Sequence, residues 1–337
     1  MSRSAGTRLF SIASIFITLT LNYYLAYMIF KDNLIGSKNK FKQGLFIVPI
    51  ACSIILSLSN AAVWAKDPFR DKNPRNIGEY TEKAFETIFL EGDYKAVGED
   101  LNKAEAEEPN EPLAYAMLAS LAYTEKDWET IKQYADKTLA SAQELSNADP
   151  VRGNLYLGVG HFLDGAYVYE KEGALPAINK LQQVFKYLDR AEDADPNDPE
   201  LNLIKGYMDL LLAVNLPFSS PNQAIARFED NAAPNYLVER GLAVAYRDLK
   251  DYDKALEYAN KAIETAPENP EHYYLKGQIL RKIGKQKQSV KILNEAIANF
   301  EQALDKSAQL PEFILETLER EHRKTLEKIA EIESGQT

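Results

Sequence analysis

Acid–base chemistry needs a histidine or carboxylate with a partner in hydrogen-bonding reach, and this chain has three histidines, His161, His272 and His322. His161 precedes Asp164 by about one helical turn, with Glu170 further along, which makes it the best acid–base pair in the sequence. A helix-surface or buried histidine is the plainer reading, because nothing around the pair completes a site. No two histidines stand at metal-ligand spacing, and no glutamate-bearing zinc motif surrounds them. The single cysteine, Cys52, lies in an apolar run, which leaves no disulfide framework and no thiol nucleophile in the rest of the chain. Ser219-Ser220-Pro221 and Gly158-x-Gly160 lack the strand-to-helix setting that a nucleophile elbow or phosphate loop requires. No catalytic residue, metal or cofactor is expected. An enzyme or metallochaperone with its site near His161, Asp164 and Glu170 stands as the alternative.

Binding chemistry is better represented. Arg247 and Arg281 lie 34 residues apart, and the residues around them recur at that interval. Over Tyr236–Asn269, Leu242, Ala243 and Tyr246 read as one helix, Asp251-Tyr252 as a turn, and Ala255, Ala259 and Ala262 as a second helix ended by Pro267. Pro270–Ala303 repeats this with Tyr273, Gly277, Leu280, Gly284, Leu293 and Ala296. It has Ser289 where a small alanine is expected and no closing proline, so its second helix is expected to run on towards Leu310. Pro112–Gln143 supplies Tyr115, Leu118, Ala119, Trp128, Ala135 and Leu139. Gly78–Glu111 is weaker, with Phe85 in place of the small residue. Asp149–Ala191 reads as one oversized hairpin, and Val214–Ser220 interrupts the period by about six residues against the standard unit.

These units resemble the tetratricopeptide repeat family over roughly residues 78–303, in the pattern aromatic-x-x-Leu-Gly-x-x-Tyr, Ala-x-x-x-Phe, Ala, Pro. The resemblance implies an all-α fold, a right-handed superhelix of helical hairpins, each burying its apolar face on its neighbours. The body is also similar to a family of exported cyanobacterial tetratricopeptide proteins without known biochemical role, on stretches such as Asp149-Pro150-Val151-Arg152-Gly153-Asn154-Leu155-Tyr156 and Lys205-Gly206-Tyr207-Met208-Asp209-Leu210. That implies a compartment, periplasm or thylakoid lumen, and no activity.

The first 65 residues have another character. Leu9–Phe30 and Gly44–Ala65 are uncharged runs of 22 residues each. Lys38, Lys40 and Lys42 precede Leu45–Leu58, and Val63 and Ala65 are small enough for a signal peptidase, which places the expected cut after Ala65. If Met28 is the initiator, Met28–Ala65 has a sensible signal length; if Met1 is, Leu9–Phe30 is long enough to span a bilayer. Either way the body is delivered across the membrane, soluble if cut and membrane-anchored if not. That body, residues 66–337, has 33 basic and 49 acidic residues, a formal charge of −16, which argues against nucleic acid as its partner.

The expected organisation is an export segment over 1–65, with a possible span at 9–30 and a signal or anchor at 44–65, and then a linker over 66–77. A solenoid follows over 78–309, with an enlarged hairpin at 150–195 and an insertion at 214–220, and a capping helix covers 310–337. In that helix Leu315, Leu318, His322, Leu326 and Ile329 form the apolar stripe. A protein or peptide partner is expected on the concave face, where Arg240, Arg247, Tyr274, Gln278, Arg281 and Lys282 would form a basic strip able to hold a carboxylate. Leu216-Pro217-Phe218 is the second contact candidate, and self-association is a further reading if the capping stripe is exposed.

Overall fold

Four helices open the same way. Glu111-Pro112, Asp149-Pro150, Asp198-Pro199 and Asn269-Pro270 each place a short acceptor before a proline. The side chain accepts from a first-turn amide (Leu113, Arg152, Leu201 and Glu271 respectively) at 2.8–2.9 Å. The proline takes a position whose N–H would have no helical partner anyway.

The computed structural model describes residues 67–215 and 220–335. The apolar runs 9–30 and 44–65, the cut after Ala65 and Leu216-Pro217-Phe218 lie outside the described residues. Among the described residues no helix is long and apolar enough to cross a membrane, and there is no strand.

Thirteen α-helices are present among the described residues. They pair as α1 (Glu79–Phe85) with α2 (Gly98–Glu107), α3 (Pro112–Thr124) with α4 (Trp128–Leu145), and α5 (Pro150–Glu172) with α6 (Ala174–Ala194). Next come α7 (Pro199–Asn215) with α8 (Asn222–Asp230), α9 (Asn235–Leu249) with α10 (Tyr252–Thr265), α11 (Pro270–Lys287) with α12 (Val290–Leu304), and finally α13 (Glu312–Glu333). A π-helical turn, Glu86–Leu90, extends α1. The first helices of successive hairpins, α3, α5, α7, α9 and α11, touch one another in order and form an inner layer, and each second helix packs on its own partner.

Small residues set how closely these layers approach. Ala255, Ala259 and Ala262 are fully buried on α10. The Phe228 ring is wedged between Gly206 of α7 and Gly241 of α9, where a Cβ at either glycine would come within 2.6 Å of it. Burial of a phenylalanine of this kind stabilises by about 2–3 kcal/mol, so the glycines are the price of a tight inter-hairpin joint.

Three expectations change. The helix expected to continue towards Leu310 stops at Leu304, followed by a 3₁₀ turn at Ser307–Gln309. Ser289 is the cap of α12 and accepts from the Ile292 amide, which explains why alanine is absent there. On α13 the buried face carries Ile314, Thr317, Leu318, Glu321, Thr325 and Ile329, while Leu315 and His322 are half-buried and Leu326 is 46% exposed. The helix is rotated from the purely apolar reading because Glu321 turns inward to accept from Gln278 on α11.

Candidate functional site

Residues 67–77, expected as a linker, are docked on the inner layer. Asp67 is buried and its two oxygens accept from the amides of Phe69 (2.9 Å) and Arg75 (3.0 Å), which closes residues 67–75 into a bend. Glu108 then accepts from the amides of Tyr80 and Thr81 at 2.8 and 2.9 Å, fixing the start of α1. Gly78, at φ +96°, lies against that carboxylate with no room for a side chain.

The bend and α1 send three rings into the array. Phe69, Phe85 and Phe89 are buried, with Phe85 centred 5.1 Å from Phe69 and 4.7 Å from Phe89. They meet Leu113 and Met117 of α3, Tyr156 and Val159 of α5, Ile204 of α7 and Leu237 of α9, leaving an apolar cavity of about 40 Å³. Phe85, the residue that spoils the first repeat, is therefore part of what fills the inner face.

A row of carboxylates runs beside the rings. One oxygen of each capping residue serves its own helix and the other is turned to an arginine. Arg75 reaches Asp149 (Nε–Oδ2, 2.6 Å), Asp198 (Nη2–Oδ2, 2.7 Å) and Glu200 (Nη1–Oε2, 3.1 Å). Arg70 also pairs with Asp198. Arg152 of α5, 2% exposed, bridges Glu111 with two 2.7 Å bonds and Glu200 at 3.0 Å, and Tyr156 donates its hydroxyl to Glu200 at 2.6 Å. Four carboxylates thus meet three guanidinium groups, two of them from the bend. Burial opposes the charge of Arg152, yet Glu111 and Glu200 outweigh it and hold the guanidinium protonated well above its ordinary value. Burial pushes the Asp149 carboxyl up, but the Arg152 amide and Arg75 outweigh that and keep it below the usual range.

At the far end the same segment meets the last hairpin. Asn269, the cap of α11, donates to the Phe89 carbonyl at 3.0 Å, and Tyr94 donates its hydroxyl to Glu271 at 2.8 Å. The Tyr94 amide donates to the Gln309 carbonyl at 3.0 Å. Residues 67–94 therefore reach the caps of the third, fourth and sixth hairpins across the inner face.

The expected basic strip is mostly interior, which corrects its reading as an open face. Arg240 is 3% exposed and pairs with Glu271 at 2.6 Å. Arg247, 2% exposed, donates to Gln278 at 3.0 Å and to Asp248 at 3.0 Å, and Gln278 passes the chain on to Glu321 of α13 at 3.0 Å. Tyr274 is buried against Phe300. Tyr94 reaches Glu271 from one side and α13 supplies Glu321 to Gln278 from the other, so the charges pair within the fold. Arg281 and Lys282 stay half-buried.

Around His161 the polar groups have different neighbours. The imidazole stacks on Tyr187 with centroids 5.3 Å apart, and burial, then the charge of Lys180, push its pKa down. Asp164 pairs with Lys180 and lies 3.8 Å from Lys132, while Glu170 is exposed. Among the described residues no group of three His, Cys, Asp or Glu side chains is placed to hold a metal.

The residues missed by sequence reasoning are Phe69, Arg70, Arg75, Glu111, Asp149, Asp198 and Glu200. One signal was available: an acidic residue before proline at the start of three inner helices, which puts carboxylates at equivalent places along one edge of the array.

Residues 235–302 match the tetratricopeptide repeat family. The matched stretch runs from α9 into α12, and the all-helical hairpin array is consistent with a solenoid of that kind. Such repeats point to a protein–protein interaction scaffold. No curated protein matches the chain.

Proposed function

We propose that this chain is a non-catalytic scaffold that works on the far side of a membrane and binds a protein or peptide along the inner face of its array. The observation that carries the reading is the docking of residues 67–77: the inner layer already holds a non-helical stretch of polypeptide through an aromatic side chain and two arginines. Apolar pockets from four neighbouring helices flanked by charged caps are the ingredients of peptide recognition. The match over residues 235–302 supports the scaffold class.

Export is proposed on the lysine-flanked apolar run and on Val63 and Ala65. A cut after Ala65 puts the new amino terminus at Lys66, one residue before the buried Asp67. The released chain would then reside in a periplasm or thylakoid lumen; an uncut chain would stay anchored.

The test is purification of the tagged chain from its native envelope, with intact-mass analysis. A mass beginning at Lys66 together with one stoichiometric co-purifying protein is the expected result. A tagged chain recovered from the cytosol, uncut and without a companion, overturns both parts.

A further inference from the structure

We infer that the acidic cap row is a docking site for an arginine-bearing aromatic segment, and that residues 67–77 are its built-in competitor, displaced when a partner segment of the same chemistry arrives. This rests on the scaffold reading and names the partner that reading leaves open.

The site is selective by construction. Asp149 and Asp198 each commit one oxygen to a helix amide, so the other is fixed in direction before any ligand arrives. Glu200 is held from behind by Arg152 and Tyr156 and turns the same Oε2 to Arg75. Three carboxylates from two neighbouring hairpins thus converge on one guanidinium. A planar fork satisfies such a set, and an ammonium does not. Asp198 takes a second guanidinium from Arg70, five residues earlier in the chain, and Phe69 beside it enters the apolar cavity. A ligand for this surface is Phe-Arg followed by a second arginine five positions on. The occupant must be cationic: without Arg70 and Arg75 the row holds four carboxylates against Arg152 alone.

The present occupant is anchored at its two ends and exposed between them. Residues 71–74, which join Arg70 to Arg75, are exposed and outside any helix. Its hold combines the two arginines with the buried Phe69 and Ile77, so a partner segment must replace ionic and apolar contacts together. As a tethered ligand it acts at an effective concentration on the order of millimolar, so a partner present below that concentration must bind the vacated row more tightly than the segment itself does.

The probe is a fluorescent peptide of residues 66–77, and its control has both arginines replaced by alanine. Anisotropy is measured against the chain from Lys66 onward and against its Arg70→Ala/Arg75→Ala variant, whose fold is checked by circular dichroism. The peptide is expected to bind the variant at least tenfold more tightly than the unaltered chain, and the control peptide is expected to bind neither. A folded variant that ignores the peptide, or binds the control equally, overturns the inference. Should the variant not fold, hydrogen exchange on the unaltered ¹⁵N-labelled chain decides: millimolar peptide must raise exchange in residues 67–77, and unchanged exchange overturns the inference. The two readings fail separately. A co-purified partner that stays bound under excess peptide removes the inference and leaves the scaffold. Peptide exchange with no partner in the envelope leaves the docking site and removes the scaffold.

Discussion

Arg75 Nη2 lies 2.7 Å from Oδ2 of Asp198, a residue 123 positions further along the chain that also caps α7 through its other oxygen. One carboxylate thus starts an inner helix and anchors the segment that crosses the inner face. Local helix formation and long-range closure share a single side chain, so capping of α7 and docking of the segment are coupled at Asp198.

Replacing Arg75 tests that coupling. Asp198 and Glu200 are buried, and Arg75→Ala removes the guanidinium that reaches both. Breaking such a pair leaves uncompensated charge, and the expected destabilisation is about 3 kcal/mol by urea unfolding. Arg75→Lys recovers little of it, because one ammonium cannot reach three carboxylates as a fork does. Full recovery by lysine would show that the row needs only a positive charge.

Phe85→Ala restores the small residue that the repeat pattern calls for, yet it is expected to weaken the fold by about 3–4 kcal/mol, as for other buried aromatics. The ring is 3% exposed and sits between Phe69 and Phe89 on the inner face. Enlarging the 40 Å³ cavity there should also raise binding of an apolar dye. A variant as stable as the parent would show that the ring is dispensable to the hairpin and the groove alike.

The hairpins were legible because their cause is local and periodic. Ala255, Ala259, Ala262 and Gly277 recur at set intervals because helices must approach closely at those points, and each sits where the spacing puts it. The docked segment was not, because nothing in Asp67-Pro68-Phe69-Arg70 repeats, and the contacts of Arg70 and Arg75 are made 74 to 128 residues away. The basic strip failed for a related reason. Arg240 and Arg247 have the spacing of groove residues, but whether that surface is open depends on Glu271 and on α13 supplying Glu321, which periodicity does not encode.

His272 makes stability depend on pH. It is fully buried, and burial, then the charge of Arg240, push its pKa down to about 3, while Nδ1 contacts the Ala266 carbonyl at 3.3 Å. In the unfolded chain it titrates near 6.5, so between about 6.5 and 3 the unfolded state binds the extra proton. Its stabilising contribution is complete above 6.5 and declines as pH falls through that window, by up to about 1.4 kcal/mol per pH unit. Urea unfolding between pH 7 and 5 should show this slope, and His272→Gln should flatten it. An equal slope in the variant would move the proton uptake to another group.

Two charge inversions separate folding from recognition. Arg247 is buried and donates to Gln278 and Asp248, so Arg247→Glu sets a new carboxylate beside Asp248 and one residue from Glu321 in the same chain of bonds. A loss of about 4 kcal/mol is expected, enough to impair folding. Arg281 is half-buried; burial, then the charge of Arg281, hold the Lys285 ammonium below its ordinary pKa. Arg281→Glu therefore relieves a repulsion and should change stability by less than about 1 kcal/mol. Thermal unfolding of both variants beside binding of the co-purified protein makes the comparison decisive. A binding defect in Arg281→Glu at unchanged melting temperature would assign Arg281 to recognition. A defect confined to Arg247→Glu, together with a lowered melting temperature, would leave it a structural residue.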